Sequence, residues 1–283
     1  MLMELRSISH NYQSGTPFAQ CALQDINLSV QEKEFLVIAG AEGSGKTTLL
    51  LIMAGLIKPD QGQVYYQQQP LPRQGIHPHF GVVFQHPEQQ MFELTVGEEI
   101  AFGPINRGTK GEELQSDIAK ALTAVGLEPA LYQHRRIKDL SSGEKRRVAL
   151  ASILVMAPRV LIMDEPLVGL DYSGRRQLIR YLVELNRHQG ITVIMVTHEI
   201  RPVYPYCSRI IQLSQGKMVR SIKPEQSTAI AGIDHTEEIE LPLHVKLLHR
   251  LRQANPALPA STRTAQEAAA IIAHWKQGEG GCH

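Results

Sequence analysis

Apolar and polar positions change period several times along the chain, and the changes divide it into elements. Residues 2–12 and 22–30 alternate as half-buried strands do, around the turn-rich Ser14-Gly15-Thr16-Pro17. Phe35 to Ala39 is a continuous apolar run of strand length, and Thr47 to Ala54 reads as a buried helix that Gly55 ends. Pro59 to Gly62 is a turn, Gln63 to Tyr66 begins another strand, residues 67–79 read as loop, and Phe80 to Phe84 is a buried strand. From His86 to about Ala157 the period becomes helical. Thr95 and Glu98 form a capping box that opens a helix, Gly103-Pro104 is predicted to stop it, and Glu112 to Val125 forms the next. Leu140 to Arg147 leads into an apolar helix running to Met156, and Val160 to Glu165 is a buried strand. Ser173 to Gln189 is an amphipathic helix closed by Gly190, Ile191 to Val196 a core strand, and 209–213 with 217–222 a closing hairpin. Residues 224–240 are polar and turn-rich, helices are expected over Pro242 to Leu251 and Thr264 to Lys276, and the tail from Gly278 is expected to be loose. The succession predicts an α/β fold over 1–222 with a helical subdomain at about 86–157 between two halves of a sheet, followed by a small helical extension over 223–283.

Between the apolar strand and the first helix lies Gly40-Ala41-Glu42-Gly43-Ser44-Gly45-Lys46-Thr47, which satisfies the phosphate-binding pattern G-x-x-x-x-G-K-[ST] at every fixed position. A triphosphate needs many N–H donors near its oxygens. Gly40, Gly43 and Gly45 let the backbone curl around the anion without Cβ atoms in the way, and the helix starting near Lys46 adds its positive end. Lys46 supplies a cation for the β- and γ-phosphates, and the hydroxyl of Thr47, followed by Thr48, is placed to hold Mg²⁺. The dinucleotide fingerprint is excluded, because from Gly43 and Gly45 its last position falls on Thr48.

The remaining candidates gather around this loop. The two carboxylates Asp164 and Glu165 end a strand at the C-terminal edge of the expected parallel sheet, where open α/β sheets hold their ligands. Asp164 is expected to face Mg²⁺ directly or through water, and Glu165 to orient the attacking water or accept its proton. His198 stands just beyond the next strand on the same edge, where the γ-phosphate is expected. Two readings stand for Tyr12, stacking on a purine ring and edge packing. Ser141-Ser142-Gly143-Glu144 is either a second anion site at a helix start or a plain cap. Arg146 and Arg147 are badly placed for the helix dipole there, so a compensating anion is expected. His77-Pro78-His79 has no Cys or carboxylate near enough to complete a metal site and reads as a solvated loop.

Composition narrows the setting. With 283 residues there is room for one large α/β domain and a smaller appendage, and 29 Lys plus Arg against 28 Asp plus Glu leaves no basic field for nucleic acid. The three cysteines, Cys21, Cys207 and Cys282, are far apart, which fits a reducing compartment better than a disulfide scaffold. No signal peptide is expected from Met1 to Arg6, and the longest apolar stretch, Val148 to Met163, is interrupted by Ser152, Pro158 and Arg159. A membrane role therefore has to run through a partner.

The phosphate loop, Gln85, Leu140 to Glu144, Asp164-Glu165, Asp171 and His198, in this order, resemble the ATPase subunit of an ABC transporter over roughly residues 3–220. The resemblance implies an ATP- and Mg²⁺-dependent P-loop ATPase core. It implies that Tyr12 stacks on adenine, that Gln85 senses Mg²⁺ and the transport partner, and that Leu140 to Glu144 is the signature loop. Asp171 then belongs to the nucleotide site and His198 is the switch histidine. It also implies a dimer with a second copy or a paired homologue, each ATP held by one chain's phosphate loop and the other's signature. Val82-Val83-Phe84-Gln85-His86-Pro87-Glu88-Gln89-Gln90-Met91-Phe92, with Ala101 to Asn106 and Glu240 to Leu251, is similar to the energy-coupling factor type, which imports vitamins or metals such as cobalt and nickel. The expected setting is then the cytoplasmic face of the membrane, bound to a transmembrane coupling protein and a substrate-binding membrane protein, with no nucleic acid. Soluble ABC ATPases of repair or translation are a second reading, but the former carry a long coiled coil and the latter two cores, features this chain lacks. A non-catalytic scaffold would lack Glu165. The signature departs from the family where Ser142 replaces a glycine and Glu144 the commoner glutamine, so Ser142 either crowds the γ-phosphate or adds a donor to it.

Overall fold

The computed structural model describes residues 1–13, 15–72, 75–225, 241–259 and 261–279. Among them the alternating segments become an antiparallel sheet and the apolar runs a mainly parallel one. Strand β1 (Met3–Tyr12) lies between β2 (Gln20–Val30) and β4 (Gln61–Tyr66). A short β5 (Gln69–Pro70) adds to β4 inside the segment expected to be loop. Gln67 and Gln68 both take left-handed φ, 49° and 66°, which closes this hairpin without the glycine or asparagine that normally signals such a turn.

The second sheet has the order β10-β9-β3-β8-β7-β6, built from β3 (Phe35–Ala39), β6 (Phe80–Val83), β7 (Val160–Asp164), β8 (Thr192–Thr197), β9 (Arg209–Ser214) and β10 (Lys217–Ile222). All but β10 run parallel. Buried on both faces, β3, β6, β7 and the middle of β8 have no solvent side to mark with polar residues, so they read as unbroken apolar runs, whereas β9 carries Arg209 and the buried Gln212. Successive residues serve opposite cores. Leu36, Ile38, Ile162 and Ile194 face α1 (Lys46–Met53) and the antiparallel sheet, while Val37, Leu161, Met163 and Val193 face the cluster shared with α6 (Tyr172–Gln189) and the inserted helices. Ala39 pairs with Thr197 and Asp164 with Val196, so the strands end level at one edge.

The insertion consists of α2 (Val96–Asn106), α3 (Gly111–Ala124), α4 (Pro129–Tyr132) and α5 (Ser142–Leu154). It joins β6 to β7, which are neighbours in the sheet, and so is a crossover rather than a bridge between two half-sheets. Gly103-Pro104 does not stop α2, which runs on to Asn106. Proline in the last turn forfeits one N–H bond, while Gly103 admits the Met156 Sδ, which would lie 2.6 Å from an added Cβ. Residues 133–137 are tied to the start of α2 by their main chain and to the start of α5 by the Arg135 side chain, which reaches Glu144 at 3.3 Å. Val96 N–H donates to Arg135 O at 3.0 Å, Gly97 N–H to Gln133 O at 2.8 Å and Ile137 N–H to Leu94 O at 3.1 Å.

Two further helices, α7 (Leu243–Ala254) and α8 (Ala265–Glu279), follow. Val245 joins the α6-side core, and Arg263 donates to Pro205 O and Cys207 O and pairs with Glu225 at 2.6 Å. Gly278 belongs to α8 rather than to a loose tail; the expected polar stretch 226–240 and residues 280–283 lie outside the described residues.

Candidate functional site

The loop 40–47 sits at the level edge of the parallel sheet, and close backbone approach dictates its glycines. Gly45 has φ +99°, and a Cβ there would lie 2.4 Å from Ala22 O; a Cβ on Gly40 would lie 2.1 Å from Leu213 O. Lys46 Nζ donates to Gly40 O at 2.9 Å and Ala41 O at 2.7 Å. Burial lowers the Lys46 pKa, and the carboxylates of Glu165, Asp164 and Glu42 oppose that fall. Ser44 Oγ is buried without a hydrogen-bond partner among the described residues.

A cavity of about 540 Å³ opens above the loop. Glu42, Gly43, Gly45, Lys46, Thr47 and Thr48 form its floor, and Tyr12, Gln85, Glu165 and His198 its walls. Tyr12 is half exposed there, its hydroxyl 3.2 Å from Thr48 Oγ1 and its ring edge-on to His10 at 4.9 Å between centroids. Gln20 and Cys21 complete the wall, which the sequence pattern alone does not place. They arrive through strand pairing, since Tyr12 is opposite Gln20 and Asn11 opposite Cys21.

Thr47 Oγ1 donates to Asp164 Oδ2 at 2.9 Å. Asp164 is 4% exposed, and its Oδ1 is buried with no hydrogen-bond partner among the described residues. Burial raises its pKa, with the Thr47 bond and Lys46 acting against the rise. A buried carboxylate with one bare oxygen, next to a threonine hydroxyl, is a donor set that suits a hard divalent cation. Glu165 follows in the left-handed region at φ 46°, a conformation that costs a non-glycine residue about 1 kcal/mol, and its N–H donates to Val196 O at 2.9 Å. This turn aims the carboxylate at His198. Glu165 Oε1 accepts from His198 N–H at 3.0 Å and lies 2.9 Å from His198 Nδ1.

The signature residues stand elsewhere in the chain. Ser141, Ser142, Gly143 and Asp171 line a separate cavity of about 670 Å³ between α5 and α6 and not the cavity over the phosphate loop. Asp171 caps α6, accepting from Gly174 N–H at 2.7 Å. Ser141 and Glu144 form a reciprocal capping box at the start of α5. The Glu144 carboxylate accepts from Tyr132 O–H at 2.7 Å, Ser141 N–H at 2.7 Å and Arg135 Nη1 at 3.3 Å. These donors, Tyr132 foremost, hold its pKa down to about 2. Glu144 thus puts a carboxylate in the first turn of the helix that carries Arg146 and Arg147. Arg147 reaches Gly126 O at 3.4 Å, while Arg146 is buried and donates to Gln85 O at 3.0 Å, Pro166 O at 3.3 Å and Val168 O.

Among the described residues no helix is long and apolar enough to cross a membrane. The insertion carries exposed apolar side chains: Phe92 and Phe102 lie edge to face at 4.7 Å, and Leu94 and Ile105 are also exposed.

Comparison with known proteins gives a consistent result. A family model described as ABC transporter matches residues 23–168. The energy-coupling factor transporter ATP-binding protein EcfA2 of Caldanaerobacter subterraneus subsp. tengcongensis is 34% identical, over 98% of this chain and 99% of its own. Among solved structures, cbiO1 from Clostridium perfringens, described as part of the ABC transporter complex cbiONQ, superposes with a TM-score of 0.74 at 29% identity, covering 90% of this chain and 96% of that one. The dimeric ATP-binding cassette MJ0796 in a post-hydrolysis state with ADP and Pi gives 0.70 at 30% identity, covering 78% and 98%.

Proposed function

Because this chain belongs to the ABC transporter family, among its energy-coupling factor ATP-binding proteins, we propose that it hydrolyses ATP at the 40–47 loop to drive uptake of a vitamin or transition metal ion through membrane partners. The observation that carries the reading is the convergence in one cavity of Lys46, Thr47 and the Glu165–His198 pair, with the buried Asp164 bonded to Thr47. The loop from Gly40 to Thr48 binds the phosphates, with Lys46 neutralising their charge, and Tyr12 packs on the base. Glu165, held by His198, accepts the proton of the attacking water. Thr47, Asp164 and Gln85 would hold Mg²⁺, which when bound draws negative charge from the phosphate oxygens. The bare Asp164 Oδ1 supports that assignment.

Ser141, Ser142, Gly143 and Asp171 lie away from the phosphate loop of their own chain, which fits a site completed by a second ATPase subunit, identical or homologous. The similar cassette MJ0796 is described as dimeric, which supports pairing of two ATPase subunits. Glu144 then acts indirectly, by fixing the helix start. The exposed Phe92, Leu94, Phe102 and Ile105 suit docking to a transmembrane coupling protein, itself joined to a substrate-binding membrane protein, which would place the chain peripherally on the cytoplasmic face.

Glu165→Gln tests the chemistry. The variant should bind ATP and lose at least about a hundredfold in turnover, and turnover within severalfold of the unaltered chain removes Glu165 from the mechanism. Affinity purification from gently solubilised membranes tests the setting. Small membrane proteins should accompany the chain, and recovery of ribosomes or nucleic acid instead overturns the transport assignment.

A further inference from the structure

We propose that Arg146 is a positioning residue for hydrolysis, a buried guanidinium that makes the start of α5, the Gln85 loop and the loop after Glu165 move as one body. The inference rests on the reading of Gln85 and Glu165 given above. Arg146 is 8% exposed and sits in the first turns of α5, where the helix dipole disfavours a cation. Its position there is explained by what it reaches. One nitrogen donates to Pro166 O and Val168 O and the other to Gln85 O.

These three acceptors are main-chain carbonyls on two loops, so through them the guanidinium responds to where the loops lie. The planar fork of arginine can serve both loops at once, which the point charge of lysine cannot. Gln85, Glu165 and Val168 all line the cavity over the phosphate loop. On its other side Arg146 borders the cavity of about 670 Å³ that separates Ser141 to Gly143 from α6. There the start of α5 is not packed against α6, so a displacement of the signature loop passes to the reacting centre through these hydrogen bonds. Misplacement of a reacting group by about 1 Å costs on the order of a hundredfold in rate, so a small shift suffices.

The test uses the full chain, purified with whatever accompanies it from native membranes, and compares Arg146→Lys and Arg146→Met with the unaltered protein and with Glu165→Gln. Binding of a fluorescent ATP analogue gives the affinity and the number of competent sites, and turnover is expressed per competent site. Nucleotide affinity should stay within about twofold, while kcat per competent site falls about tenfold in Arg146→Lys and about a hundredfold in Arg146→Met. A merely structural arginine would lower the number of competent sites and the melting temperature and leave kcat per competent site unchanged. That result, with Glu165→Gln inactive in the same assay, overturns the proposal. Turnover retained in Glu165→Gln overturns instead the reading of Glu165, and the proposal with it.

Discussion

Replacing Tyr132 by phenylalanine removes a single hydroxyl, and the structure fixes what that hydroxyl does. It donates at 2.7 Å to the Glu144 carboxylate, which also accepts from Ser141 N–H and Arg135 and is held at a pKa of about 2 against the ordinary 4.5. A depression of that size corresponds to about 3 kcal/mol favouring the carboxylate in the folded chain, with Tyr132 the largest contributor. Because the folded pKa lies below the unfolded one, the stabilisation is full above about pH 5 and drains away as pH falls from about 4.5 towards 2. At neutral pH, Tyr132→Phe should therefore cost about 1.5 kcal/mol, the usual worth of a hydrogen bond to a charged group. In a Glu144→Gln background the acceptor is neutral, and the same substitution should cost only about 0.5 kcal/mol. Urea unfolding followed by circular dichroism at pH 7.5 on the four proteins of this cycle gives the coupling, expected near 1 kcal/mol. Additivity to within about 0.4 kcal/mol would show that the hydroxyl does not act through Glu144.

Four other outcomes are expected. Thr47→Val removes a hydrogen bond that lowers the Asp164 pKa, so the Mg²⁺ concentration for half-maximal turnover should rise about tenfold. That requirement should grow in both proteins as pH falls, since burial raises the Asp164 pKa and protons compete with the cation; a Mg²⁺ titration across pH that shows no trend contradicts the assignment. Gly45→Ala forces a Cβ to 2.4 Å from Ala22 O at φ +99° and should destabilise the fold by more than about 2 kcal/mol, read as a lowered urea midpoint with lost nucleotide binding. Phe92→Ala combined with Phe102→Ala should leave ATP affinity unchanged while reducing the membrane protein that co-purifies, because both rings are exposed and neither lines the cavity over the phosphate loop.

The parallel strands were legible because burial on both faces leaves no polar positions, and the phosphate loop because backbone geometry restricts residue choice position by position. Both signals are local. The continuation of α2 past Pro104 was not legible, since a proline in the last turn forfeits one bond and the fit of Gly103 against Met156 depends on a residue far along the chain. The hairpin at Gln67-Gln68 escaped because those residues carry no turn signature. Glu144 is legible as an acid at a helix start, but its partners Tyr132 and Arg135 come from a segment without helical or strand period. Arg146 is legible as a cation poorly placed for the helix dipole; that Gln85 O and Pro166 O on two other loops accept from it depends on the tertiary fold alone.

The stretch 133–137 is joined to the start of α2 by main-chain bonds and to the start of α5 by the Arg135 side chain, and this sets how far the chain can vary in length. An added or missing residue there would put at least one N–H at the start of α2 out of reach of its carbonyl and move Arg135 relative to Glu144. The turn between α2 and α3 is of another kind. Gly108 and Gly111 have no neighbouring atoms within 4 Å of where a Cβ would stand, so extra residues can loop outward there at little cost. Homologous chains should accordingly differ in length between α2 and α3 and keep a fixed spacing from Gln133 to Glu144.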